Sequence, residues 1–158
     1  MSNSATNQVY TITVSGDIIG GNILNNGVLR DVGTNNTYNI TCAGLIRGGA
    51  NGYTITNGSS TSTINITGNV LGSSTANTNA VTTTAGGTIN ITGSATAGTA
   101  GSCVLNSNGT IRLTRAIGNG YGVTTTEDIR VSNDSGAQFT LYNDVNRACT
   151  VNWIAIGT

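Results

Sequence analysis

Carboxylates are the first side chains to consider for chemistry, because the chain contains no histidine. A pair of carboxylates could serve as acid and base in glycoside hydrolysis if the two groups flank one bond. Glu127 and Asp128 are adjacent, and on a strand their side chains would point to opposite faces. Asp17 and Asp31 lie in different segments, and no feature of the sequence fixes their separation. The sequence therefore predicts a protein that is not an enzyme, whose acids are solvated or paired with arginine.

Potential metal ligands are present, but not at the spacing that a metal site needs. The segments NDSG (133–136) and YND (142–144) carry oxygen ligands of the kind that Ca²⁺ prefers, without the spacing of an EF-hand loop. Turn formation explains Asn and Asp there more simply. Cys42, Cys103 and Cys149 have no histidine partner, so they are expected to be small buried hydrophobic residues. We expect neither a metal nor another cofactor.

The charge balance argues against several classes of partner. Six arginines and six carboxylates give a formal net charge of zero. This balance leaves no basic patch for nucleic acid or for a membrane surface. No apolar run reaches the roughly 18 residues of a membrane span. The opening residues, MSNSATNQVY, lack the charged and apolar regions of a secretory signal, which predicts synthesis and assembly in a cytoplasm.

A short alternating segment recurs along the chain and indicates how its side chains are held. Successive copies begin 18 to 28 residues apart: YTITV (10–14), YNIT (38–41), INIT (64–67), INIT (89–92), IRLT (111–114) and IRVS (129–132). Periods of about 20–50 residues indicate stacked repeats, and parallel β-helices fall in this range. The first and third residues of each segment are apolar, so they should face one side of a strand.

Two further short segments follow each of these, and together they predict a coil. One is flanked by glycines, as in GNVLG (68–72), and the other resembles NAVTTT (79–84). Three short strands and three corners per coil predict a triangular rung, and stacked rungs would bury the inward Ile, Val and Leu. The predicted fold is all-β. It is a parallel β-solenoid of about five coils at 9–135, with an N-terminal arm at 1–8 and a C-terminal β-hairpin cap at 136–158.

The outward positions of the first segment are expected to form a ladder. Equivalent positions in successive coils should stack, and Asn ladders form hydrogen bonds along such a stack. The predicted outward ladder consists of Asn39, Asn65, Asn90, Arg112 and Arg130.

The C-terminal segment, GAQFTLYNDVNRACTVNWIAIGT, breaks the repeat. Its last strand is apolar on both faces, which would be an aggregation hazard at the edge of a monomer. One face is therefore expected to cover the end of the solenoid, and the other to contact neighbouring subunits. The predicted oligomer interface consists of Phe139, Val151, Trp153, Ile154 and Ile156.

The residues FTLYN…CTVNWIAIGT resemble the terminal strand of many phage fibre, tail-tip and other virion-surface proteins. The TINITG coils also resemble the Gly/Asn/Thr-rich β-helical repeats of phage and bacterial surface proteins. This resemblance implies a structural protein of the virion surface, such as a capsid decoration protein, head fibre or tail-fibre component. It also implies a homotrimer or another symmetric assembly, made in the host cytoplasm, with other virion proteins as partners.

Three alternatives to a purely structural role remain open from the sequence. The protein could be an adhesin that binds host glycan through outward Tyr or Arg side chains. It could bind ice, because the T-x-T elements Thr11/Thr13 and Thr54/Thr56 resemble the threonine arrays of ice-binding β-solenoids. It could also be an extracellular filament of stacked solenoids.

Overall fold

The structure is a computed structural model that describes residues 1–22, 27–74, 79–99 and 102–117, together with the backbone of two short strands at 123–125 and 129–131. Within these ranges it is all-β, and every strand pairing is parallel. The strands stack as a β-solenoid of about four turns, which confirms the predicted fold class. The other predicted coil lies mainly beyond residue 117.

Two parallel sheets form the walls of the solenoid. The first contains short strands in the order β1 (Ser2–Asn3), β4 (Leu29–Asp31), β6 (Ile55–Asn57), β8 (Val81–Thr83), β10 (Val104–Asn106) and β12 (Val123–Thr125). The second contains β13 (Ile129–Val131), β11 (Thr110–Ile117), β9 (Thr88–Thr96), β7 (Thr63–Leu71), β5 (Thr37–Arg47) and β2 (Val9–Val14), and β3 (Ile18–Ile19) also pairs with β5.

Inward side chains of the long strands form continuous apolar columns. Ile40, Ile66, Ile91 and Leu113 occupy one register position on successive rungs, and all four are buried. Each fully buried aliphatic side chain contributes roughly 1.5–3 kcal/mol relative to an exposed one. One coil presents only a few such side chains, so the fold depends on stacking.

The first and second predicted segments of a coil form one bent strand in β5, β7, β9 and β11, whereas in the first coil they are the two strands β2 and β3. In β7 the bend falls at Gly68 and in β9 at Gly93, and both have a φ of +149°. A Cβ at position 93 would lie 2.0 Å from the carbonyl oxygen of Gly68. Glycine is required because the backbones of adjacent rungs touch at the bend and φ is positive there.

Strand β1 lies in the segment that the sequence predicts as an N-terminal arm. Ser2 and Asn3 pair with Arg30 and Asp31 of β4, which extends the first sheet by one rung. The N-terminal ammonium group also donates a hydrogen bond to the Val28 carbonyl oxygen at 2.7 Å. The first residues are therefore part of the solenoid wall.

Candidate functional site

The outward ladder runs along the second sheet with its side chains in hydrogen-bond contact. Asn39, Asn65 and Asn90 share one register position. The Asn65 Nδ2 group donates to Asn39 Oδ1 at 3.0 Å, and Asn90 Nδ2 donates to Asn65 Oδ1 at 2.8 Å. Arg112 follows at the same register and donates from Nη1 to Asn90 Oδ1 at 3.5 Å. Arg130 pairs with Arg112 in the backbone register, and its side chain lies outside the described residues.

Threonine columns flank this ladder on both sides. The column on one side consists of Thr37, Thr63, Thr88 and Thr110. The column on the other side consists of Thr13, Thr41, Thr67 and Thr92. We use the name threonine column only for this second one. Neighbouring rungs are about 4.8 Å apart, and outward residues two apart on one strand are about 7 Å apart. The outer face is therefore a regular two-dimensional array of hydroxyl and amide groups.

A groove follows the threonine column where the long strands bend. It encloses about 630 Å³ and is lined by the threonine column together with Val14, Ala43 and Asn69. The threonines of this column are all exposed. The Asn69 Oδ1 atom accepts hydrogen bonds from the Ser94 amide at 3.0 Å and from the Ser94 hydroxyl at 2.9 Å. We call this feature the bend groove.

A second polar column lies inside the solenoid, at a corner, and the sequence reading missed it. Asn3, Asp31, Asn57, Thr83 and Asn106 stack in register, and the last four are completely buried. The side chains of Asn3, Asp31 and Asn57 each accept a hydrogen bond from the backbone N–H two residues later. This is the geometry of an Asx turn, which directs the chain into the next long strand. The signal in the sequence was Asn or Asp recurring 26–28 residues apart, at the spacing of the strands.

Asp31 is the charged member of this corner column. Its Oδ1 atom accepts hydrogen bonds from the Tyr38 hydroxyl at 2.9 Å, the Asn36 side-chain amide at 3.0 Å and the Gly33 backbone amide at 3.3 Å. Its Oδ2 atom is buried and has no hydrogen-bond partner among the described residues. Burial raises the pKa of Tyr38 well above its ordinary value, and the contact with Asp31 raises it further, against an opposing effect of Asn3. The Tyr38 hydroxyl therefore keeps its proton and acts as a donor to Asp31.

Tyr38 and Tyr10 face the core and not the outer surface. Tyr38 is fully buried, and its ring stacks on Tyr10 with centroids 4.9 Å apart and planes 13° apart. These two rings therefore do not line the outer face, where a glycan site built on outward tyrosines would need them. The stack continues the apolar columns toward the first rung.

The buried thiol of Cys103 leads us to expect that the protein is less stable at alkaline pH. Burial raises the pKa of its thiol from 9.0 to about 11. Because the pKa is higher in the folded state than in the unfolded state, the folded state favours the protonated thiol. This contribution to stability is fully present below pH 9 and is lost as the pH rises from 9 to 11. We expect the free energy of unfolding to be about 1 kcal/mol lower at pH 10 than at pH 8, since one pKa unit corresponds to about 1.4 kcal/mol. Urea unfolding at the two pH values measures this, and Cys103→Ala should remove most of the difference; an unchanged difference in that variant would contradict the assignment.

The two described carboxylates, Asp17 and Asp31, lie in different surroundings. Asp17 lies 3.8 Å from Arg47 in an exposed ion pair, and its Oδ1 atom accepts a hydrogen bond from the Leu45 amide. Asp31 is held in the corner column, away from Asp17. Among the described residues, no three His, Cys, Asp or Glu side chains are close enough together to hold a metal ion. Cys42 and Cys103 are buried, as the sequence predicts, and Glu127, Asp128 and Cys149 lie outside the described residues.

Within the described ranges, the exposed large apolar side chains lie toward the N-terminal end of the solenoid. The large hydrophobic residues that are exposed in the described ranges all lie in the first 45 residues: Met1, Val9, Ile19, Val32 and Leu45. Val9 is 72% exposed and Ile19 is 60% exposed. Strand β2, which carries Val9, is the edge strand of its sheet within the described part of the chain. We call this region the apolar end.

The predicted oligomer interface belongs to the C-terminal segment of the sequence. Phe139, Val151, Trp153, Ile154 and Ile156 lie outside the described residues, as does the predicted hairpin at 136–158. These residues remain a prediction from the sequence.

The fold and the outer ladders define the chain as a parallel β-solenoid with a hydroxyl- and amide-rich face. A comparison with known protein families, with curated protein sequences and with solved structures finds no significant match to the chain. No helix in the described ranges is long and apolar enough to cross a membrane.

Proposed function

We propose that the chain is a non-enzymatic structural protein of a phage virion surface, in the class of capsid decoration proteins, head fibres and tail-fibre components. The observation that carries this proposal is the contrast between the apolar end and the other described rungs, which run to residue 117. A projecting element needs one end that attaches and a shaft that does not adhere. The apolar end supplies the first, and the hydroxyl and amide ladders supply the second.

The physical basis of attachment is an open sheet edge beside exposed apolar side chains. An edge strand presents unpaired backbone N–H and C=O groups, which another protein can complete. Val9 and Ile19 lie in this first rung, and their exposure adds apolar area that association would bury. The attachment partner is another virion protein, and the particle is assembled in the host cytoplasm.

Assembly into a homotrimer is assigned to the other end of the chain. A tryptophan near the centre of an interface often contributes a large share of the binding energy, and Trp153 is the only tryptophan. The apolar residues around it in the sequence, Val151, Ile154 and Ile156, complete the proposed contact. The resemblance of this segment to the terminal strands of phage fibres supports this division of roles.

Two sets of substitutions should separate attachment from assembly. Trp153→Ala is expected to cost about 2 kcal/mol or more of association energy and to shift the mass from trimer to monomer. The double variant Val9→Thr, Ile19→Thr should remain trimeric, because it changes only the apolar end. Light scattering behind a sizing column measures both masses. A wild-type monomer, or a trimer unaffected by Trp153→Ala, would contradict the assembly role.

The particle location is tested with an antibody raised against the purified protein. Particles purified from a lysate of the cells that make the protein should be labelled on their surface. The double variant at the apolar end should be depleted from particles although it is expressed at the same level. A protein that stays in the soluble fraction and never copurifies with particles would overturn the proposal.

Ice binding is a second candidate, and the regular outer array favours it. Strands β5, β7 and β9 each present Thr, Asn and Thr at three successive outward positions, in register with one another. In β2, Thr11 pairs with the Asn position and Thr13 with the second Thr position. Ordered water on such an array would have hydroxyl and amide partners at a fixed spacing. The test is to grow ice crystals in the purified protein: faceted, slowly growing crystals would support this function, and unmodified discs would exclude it.

A further inference from the structure

We propose that the bend groove is a binding site for a neutral, linear, β-1,4-linked glycan that lies along the stacking axis. The inference goes beyond the structural role proposed above and does not depend on it. It assigns a ligand to a groove on the shaft, whereas the proposed function concerns the two ends of the chain.

Hydrogen-bonding capacity distinguishes the threonine column from the outward ladder. The ladder amides bond to one another from Asn39 to Asn90, and Arg112 takes the last acceptor in the described stretch. The hydroxyls of Thr41, Thr67 and Thr92 have no hydrogen-bond partner within the described part of the protein. Each can both donate and accept, as a sugar hydroxyl can. A polyhydroxylated ligand therefore finds fully unused hydroxyls in the groove, whereas part of the capacity of the ladder amides is already taken by their neighbours.

The shape of the groove suits a chain and not a compact molecule. Its threonines span four rungs, so the first and last are roughly 14 Å apart at the usual spacing between strands. The groove has a volume of about 630 Å³ and is open to solvent, so it suits an extended ligand that keeps one side exposed. Val14 and Ala43 add apolar surface next to the hydroxyls. The faces of a pyranose ring present C–H groups and its edges present hydroxyls, which matches this mixture.

The uncharged lining of the groove in the described ranges favours a neutral ligand. No charged side chain lines it in the described ranges. An acidic polysaccharide would gain no ion pair there, and it would lose hydration of its carboxylates. A neutral glycan makes the same hydroxyl contacts without that cost.

The repeat of the groove matches the repeat of the proposed ligand. An extended β-1,4-linked glycan advances by nearly one rung spacing per sugar. Each sugar would therefore lie beside one threonine, with alternate sugars presenting opposite edges because the ring turns over along a β-1,4-linked chain, and four sugars would fill the described length. This commensurate spacing is the reason to choose a linear, equatorially linked chain over a branched one.

The test is an NMR titration of the isotopically labelled protein with β-1,4-linked oligomers of glucose and of N-acetylglucosamine. The methyl resonances of Thr41, Thr67 and Thr92 should shift, and the amide resonances of the Asn ladder should shift less. Affinity should rise from the dimer to the tetramer and then level off, because four rungs are filled. No shift in the groove with hexamers of either sugar at millimolar concentration would overturn the proposal.

A matched pair of variants locates the binding. Thr41→Val with Thr67→Val keeps the shape of both side chains and removes two hydroxyls, and it should weaken binding about tenfold or more. Thr37→Val with Thr63→Val makes the same change four residues earlier on the same strands, outside the groove, and should leave affinity unchanged. Equal losses in both pairs would assign binding to the whole outer face and refute a groove site. Light scattering on each variant shows independently whether assembly is intact.

Discussion

Gly93→Ala is expected to be strongly destabilising, with a loss of about 4 kcal/mol or more in the free energy of unfolding. Two independent effects add at this position. The φ of +149° is strained for any residue with a Cβ, and the new Cβ would lie 2.0 Å from the Gly68 carbonyl oxygen. The clashing atom belongs to the backbone of the next rung, so it cannot rotate away. Relief requires the two rungs to separate, which breaks the pairing of β7 with β9.

Gly16→Ala is the matched control for this effect. A Cβ at Gly16 would meet no atom within 4 Å, and its φ lies outside the strained region. We expect the change to be neutral within about 0.5 kcal/mol, or slightly stabilising because alanine restricts the unfolded chain. Urea unfolding followed by circular dichroism measures both variants. If Gly93→Ala does not fold, its appearance in the insoluble fraction beside a soluble Gly16→Ala gives the same answer. A Gly93→Ala protein as stable as the control would show that the rungs do not touch at the bend.

Asp31→Ala is expected to lower the free energy of unfolding by roughly 3 kcal/mol, because three donors lose their acceptor. The Tyr38 hydroxyl, the Asn36 side-chain amide and the Gly33 backbone amide all donate to Asp31 Oδ1. Tyr38 and Asn36 are buried, so water cannot replace the lost acceptor without opening the corner.

Asp31→Asn separates the role of the oxygen atom from the role of the charge. An amide keeps the acceptor at Oδ1 and removes the buried charge, and the next rung already carries Asn57 at this position. We expect Asp31→Asn to lie within about 1 kcal/mol of the wild type, since a neutral acceptor suffices for three neutral donors. Thermal unfolding of both variants gives the comparison. If Asn is as harmful as Ala, the carboxylate charge is itself needed. If neither variant is destabilised, the corner network does not hold the fold.

The alternation of inward and outward side chains could be predicted from the sequence, because it depends only on neighbouring residues of one strand. Side chains alternate along any strand, so the pattern of Ile64, Asn65, Ile66 assigns inward and outward faces without knowledge of the fold. The recurrence of that pattern every 22–28 residues through the described coils implies stacking, since one coil cannot bury its own apolar face. The parallel β-solenoid follows from these two facts together. The stacking of Asn39, Asn65 and Asn90 was also inferred in this way, and the structure has them hydrogen-bonded.

Other features could not be read because they depend on how one rung meets the next. The bend at Gly68 and Gly93 joins two predicted segments into one strand, and glycine in the sequence is equally compatible with a corner. The corner column depends on the register of the short strands, which places Asp31 beneath Tyr38. Tyrosine at position 38 is apolar enough to face the core, but only the register shows that its hydroxyl finds a carboxylate there.

The sequence by itself determined the long strands, their stacking and their inward and outward faces, because each follows from a two-residue period within a segment that recurs along the chain. Only the tertiary structure decided which outward groups are already bonded and which are open. The Asn ladder and the threonine column are equally polar in the sequence, but the amides reach each other across one rung and the shorter threonine side chains do not. Within the described ranges, the structure also places the exposed large apolar side chains in the first 45 residues. The length of each side chain relative to the spacing between rungs makes the difference between the bonded amides and the open hydroxyls.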